Sequence, residues 1–166
     1  MLLKTMQRFN EYADKAVRLY HTADHMTHMT YQVVHDPKVL LLAITHLNDS
    51  FENAISALLF YDYYFKRISL FPNDFTSKLD IFKRHTCAKY GIPRDIVQTI
   101  EDVREINIEH KQSEMEFRRK NNFIIASKNY RLRTINIEKL KNILTSSKPL
   151  ISKVQEVKKL NDTRIS

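Results

Sequence analysis

The heptapeptide Arg104-Glu105-Ile106-Asn107-Ile108-Glu109-His110 sets an arginine and a histidine six positions apart. Two such side chains are enough to cleave RNA without a metal. Histidine, whose unperturbed pKa is about 6.5, can move a proton to or from the ribose 2′-OH or the leaving oxygen. Arginine can neutralise the charge that builds on the scissile phosphate. The catalytic expectation is therefore placed on Arg104 and His110.

Other chemistry is less well supplied. His21, His25 and His28 fall at i, i+4 and i+7, a helical spacing that can hold a divalent metal if a second helix completes the ligand set. His46, Asp49 and Glu52 are the candidates to complete it. No histidine follows a glutamate by three positions, so the Glu-x-x-His pattern of di-iron bundles is missing. The histidine row reads as the polar flank of a helix, and no metal site is assigned. A single cysteine, Cys87, leaves no intramolecular disulfide and no cysteine zinc site. The single glycine, Gly91, excludes a P-loop and a dinucleotide-binding fingerprint. No cofactor is expected.

Charge is the most uneven property of the chain. Its 166 residues carry a formal charge of +8. Residues 1–110 hold 13 basic and 14 acidic side chains, whereas residues 111–166 hold 14 and 5. The excess is densest at Arg118, Arg119, Lys120, Lys128, Arg131 and Arg133, with Tyr130 among them, and continues to Lys139 and Lys141. Such a segment can bind a phosphate backbone and stack a base. It can equally serve as a solubilising face or meet an anionic protein. The expected partner is RNA or another nucleic acid, with a protein partner as the alternative.

These residues need elements to hold them. One domain spans 1–166 by length. One glycine disfavours an all-β fold, which needs residues at positive φ in its turns. Phe9, Ala13, Ala16, Tyr20, Ala23, Thr27, Tyr31 and Val34 recur at steps of three and four, which predicts a helix over about 3–34. Leu40, Ile44, Leu47, Phe51, Ala54, Leu58 and Phe65 predict a second, over about 38–67, antiparallel to the first. Further helices are expected over about 75–90, 93–117 and 137–160, with Ser147-Lys148-Pro149 marking a helix start. Asn122–Ala126 and Arg131–Ile135 are short and rich in β-branched residues, with turn-forming residues between them. The expected fold is all-α, an antiparallel bundle of four to five helices with a short β-hairpin near residues 122–135. That hairpin sits inside a basic segment, 118–141, and brings Arg131 and Arg133 to one face. No apolar run approaches the ~18 residues that span a bilayer, and no secretory leader pattern is legible. The expectation is a cytoplasmic protein that does not contact membranes.

The bundle with a late Arg-x(5)-His motif resembles the HEPN superfamily. The resemblance covers roughly residues 3–117, and the stretch from Ile44 to Leu59 has the small-and-leucine texture of that family's second helix. It implies an RNA-directed protein, a metal-independent endoribonuclease if active, with Arg104 and His110 as the catalytic pair. It also implies a homodimer, since a symmetric partner brings two motifs together. Family members without activity keep RNA binding. The alternative is a non-catalytic helical module that binds RNA or a protein through its basic C-terminal third. A metal-binding bundle is the third reading.

Overall fold

The computed structural model describes residues 1–165 and consists of five helices and one three-stranded antiparallel sheet. Helix α1 spans residues 2–34, with a π-helical stretch, Met26–Thr30, between Leu2–His25 and Tyr31–Val34. Its core stripe is buried from Phe9 to Tyr31. The last two steps of that stripe, Ala23 to Thr27 to Tyr31, are both of four residues. An α-helix would rotate the third of these off the face, and the wider i→i+5 turns keep it there. Val34, expected inside, is 55% exposed.

His35 then turns the chain at φ 53. Asp36 caps helix α2, Pro37–Tyr64, by accepting the Lys38 N–H at 2.9 Å, with Pro37 in the first turn. The short turn folds α2 back along α1. Small residues let the two backbones approach: Ser50 Oγ donates to the Ala16 carbonyl at 2.7 Å. α2 is the central element and also touches α4, α5 and the sheet. It ends with Lys66 at φ 57, and the Arg67 N–H reaches the Asp62 carbonyl, a Schellman closure made without glycine. Gly91, at φ 63, closes α3 (residues 75–90) in the same way, with the Ile92 N–H on the Cys87 carbonyl.

Two expectations change at this level. Helix α4, Arg94–Gln112, stops five residues before the expected end at 117. Residues Met115–Arg119 are strand β1, paired with β2, Asn122–Ala126, which pairs in turn with β3, Leu132–Ile135. The hairpin is thus the second half of a three-stranded meander. Ser113 makes the change of direction. Its backbone is extended, and its Oγ lies 3.0 Å from the Ala126 carbonyl at the far end of β2. The other correction concerns Pro149, which lies inside a continuous helix α5, Ile137–Ile165, and does not start one. The missing N–H leaves the Thr145 carbonyl without its intrahelical donor. Thr145 is exposed, so water can take that place. No described helix is long and apolar enough to cross a membrane.

Candidate nucleic-acid interface

Strand alternation divides the sheet into two faces. Glu116, Arg118, Phe123, Ile125, Arg133 and Ile135 share the inner one by register. Phe123, Ile125 and Ile135 enter the core beside α2. The polar side chains of that face are all engaged. The Glu116 carboxylate accepts from His110 Nδ1 at 2.6 Å. Arg118 stands 3.8 Å from Asp36. Arg133 meets three carboxylates of α4: Asp102 at 2.9 Å, Glu105 at 3.0 Å and Glu109 at 2.7 Å. The Glu109 hydrogen bonds, foremost, hold the Arg133 guanidinium even more firmly protonated than usual. Lys139, in the first turn of α5, adds a contact to Asp102 at 3.2 Å.

The expected pairing of Arg131 with Arg133 therefore fails. Arg133 is consumed in tying the sheet to α4, and its neutralised charge is not offered to a ligand. Arg131 lies before β3, exposed, and makes no ion pair among the described residues. The same holds for Arg119, Lys120 and Lys128. Tyr130, at φ 57 in the β2–β3 turn, is 95% exposed. Of the seven residues assigned to nucleic-acid contact, six remain at the surface: Arg118, Arg119, Lys120, Lys128, Tyr130 and Arg131.

The outer face carries residues that the sequence reading missed. Met115, Phe117, Ile124, Ala126 and Leu132 share it with Arg119, Asn122 and Thr134. Met115 and Leu132 are more than 60% exposed, and Phe117 is 39% exposed. Their signal was present as a period of two, Met115 and Phe117 alternating with Glu116 and Arg118. It was masked because α4 was carried through it, and because Lys120-Asn121 is not one of the usual hairpin turns.

Arg104 and His110 take up separate positions along α4. The Arg104 guanidinium lies over the Phe75 ring, 4.5 Å from its centroid, and Nη2 donates to Thr76 Oγ1 at 3.2 Å. Its Nη1 is buried without a hydrogen-bond partner. The groove that it lines between α3 and α4 also holds Asp80, Glu101, Glu105 and Glu109, against one further cation, Lys83. Each of these carboxylates is itself ion-paired, Glu101 with Lys83, Asp80 with Arg84, and Glu105 and Glu109 with Arg133. His110 faces β1 and Glu116, and does not line this groove. The two side chains have no partner in common.

The histidine row is also unassembled. His28 Nδ1 sits 3.2 Å from an Asp24 oxygen, and His21 packs edge-on to Tyr20. Among the described residues, no group of three or more His, Cys, Asp or Glu side chains is placed to hold a metal ion. No known family model matches the chain, and no curated protein or solved structure is significantly similar to it.

Proposed function

We propose that this chain is a helical RNA-binding module, working through the basic meander that follows α4 and without chemistry at Arg104 and His110. The observation that carries the reading is one of charge left over. Residues 118–135 contain six basic and no acidic side chains. After the inner face has used Arg133, the cations at Arg119, Lys120, Lys128 and Arg131 stay exposed and, among the described residues, pair with no carboxylate. Unpaired cations clustered on one small element favour a polyanion, because each neutralised phosphate releases condensed counterions. The HEPN resemblance fits this reading through members that bind RNA without cutting it. The nuclease alternative would need Arg104 to leave Phe75 and Thr76, and His110 to leave Glu116.

The test is an RNA-binding titration across salt concentrations in the presence of chelator. Affinity should fall steeply with salt. Replacing Arg119 and Arg131 together with Ala should flatten the log–log slope by about one to two units. Arg133→Ala should leave that slope unchanged. The RNA should be recovered intact, and His110→Ala should bind like the parent protein. Cleavage in chelator that His110→Ala abolishes would restore the nuclease reading. A binding signal that ignores salt would overturn the proposal.

A further inference from the structure

The outer face of the sheet is unusual on its own terms. An apolar strip of Met115, Phe117, Ile124 and Leu132 runs across three short strands, with Ile124 buried at its centre. Met115 and Leu132 remain largely exposed, and Phe117 is 39% exposed. Cations stand at both ends of it. Arg119 and Lys120 lie at the β1–β2 turn, and Lys128 and Arg131 at the β2–β3 turn. A five-residue strand is about 17 Å long, so the two cation pairs bracket a face of that length.

We propose that this face is a platform for single-stranded RNA, on which Phe117 stacks an unpaired base while the two turns hold the flanking phosphates. The proposal rests on the RNA-binding reading above and adds where the strand lies and why it must be unpaired. Phe117 occupies the middle of β1, opposite Ile124, which itself lies opposite Thr134. Its ring thus lies across the strands from the buried Ile124 and the exposed Thr134, and lines none of the grooves described above. A surface of that kind takes any base by its π-face and reads no sequence. In a duplex the bases are stacked on each other, and the deep, narrow major groove of A-form RNA is closed to side chains. A duplex could therefore use only the cations. Tyr130, 95% exposed between Lys128 and Arg131, offers a second ring at the end of the same path.

Charge selects RNA over a protein as the occupant. An apolar protein face would bury Met115, Phe117 and Leu132 equally well. It would also have to desolvate or neutralise Arg119, Lys120, Lys128 and Arg131, with no acidic residue of 118–135 to share the task. A nucleic-acid strand brings both complements at once, an apolar base and a regular row of phosphates.

The chain contains no tryptophan, so Phe117→Trp places a single reporter at the centre of the platform. Binding would be followed by anisotropy with labelled, unpaired RNA of about 12 nucleotides, and with a blunt duplex of the same length. The unpaired RNA should bind tighter than the duplex. Emission of the Phe117→Trp protein should be quenched in step with the anisotropy. Phe117→Leu, which keeps apolar volume and loses the ring, should weaken the single strand about tenfold and leave the duplex unchanged. Tyr130→Ala, at a position too exposed to matter for folding, should weaken it less. Unchanged single-strand affinity in Phe117→Leu, or an unquenched reporter, overturns the platform while salt-dependent binding keeps the RNA-binding module. Equal affinity for the duplex does the same. Loss of all nucleic-acid binding in the parent protein overturns both and leaves the face to a protein partner.

Discussion

Arg133 grips Glu109 with two hydrogen bonds, Nε to Oε2 at 2.7 Å and Nη2 to Oε1 at 3.2 Å. A strand that the sequence marks as a binding surface is thereby fastened to a helix that the sequence marks as catalytic. The fork is shared with Asp102 and Glu105, so one guanidinium holds three carboxylates of α4 at i, i+3 and i+7. Without it those carboxylates repel one another along a single helix face. Arg133 and Glu109 are 22% and 17% exposed, which lowers the effective screening. Arg133→Ala should cost about 1.5–3 kcal/mol in urea unfolding, the scale of a charged hydrogen bond lost in place. Arg133→Lys should recover only part of this, since an ammonium cannot make the fork. A loss below about 0.5 kcal/mol would show the cluster to be ordinary surface charge.

Phe51 is the packing test. It is 1% exposed on α2, the helix that every other layer touches. Phe51→Ala should cost about 3–5 kcal/mol through lost transfer energy and the cavity left behind. Chemical denaturation of the two proteins, compared at equal slope, would measure it. A change below about 1 kcal/mol would mean that the α1–α2 interface does not carry the fold.

The helices were legible because their periodicity is local. The stripe from Leu40 to Leu58 is buried as its spacing predicts, although α2 is central enough that Asn53–Asp62 is buried on every side. The candidate site was less legible because its parts are set by distant pairing. Nothing near Arg133 in sequence announces that Asp102, Glu105 and Glu109 will claim it, across 24 to 31 residues. Arg104 likewise reads as a phosphate ligand until Phe75 and Thr76, 29 and 28 residues upstream, are placed beside it. Pro149 misled for the opposite reason. Its local preference for a helix start is weaker than the packing of Leu144, Leu150, Ile151 and Val154, which keeps α5 continuous.

Lys78 gives a pH signature. It is 6% exposed in α3, with Nζ donating to Ser56 Oγ at 3.2 Å and Asn73 Oδ1 at 3.0 Å. Burial holds its pKa below 10.5, although Glu52 and Asp74 pull the other way. Between the folded value and 10.5 the unfolded chain binds the extra proton, so this residue's contribution to stability rises with pH across that window. Lys78→Met should lie within about 1 kcal/mol of the parent at pH 7, because removing a buried charge offsets the two lost hydrogen bonds. As pH rises towards 10.5 the parent should gain on the variant. The tyrosines that titrate late, Tyr20 and Tyr90, are common to both proteins and drop out of the difference. A difference that stays flat with pH would place the ammonium in water.

Cys87 is the last group with nucleophilic chemistry to assign, and its surroundings quiet it. Burial raises its pKa from 9.0 to about 11, and Lys83 offsets this only in part. At pH 8 the thiolate fraction is then on the order of one in a thousand, and the thiolate is the reactive form. A disulfide reagent at pH 8 should label the native protein at least about a hundredfold more slowly than a free cysteine. Urea should bring the rate up to that of free cysteine in parallel with unfolding. The sign for stability follows from the same shift. The folded state keeps the thiol neutral, so its contribution is complete below about pH 9 and is lost as pH rises through about 11. Prompt, complete labelling without denaturant would contradict this, and would mark Cys87 as a reactive thiol.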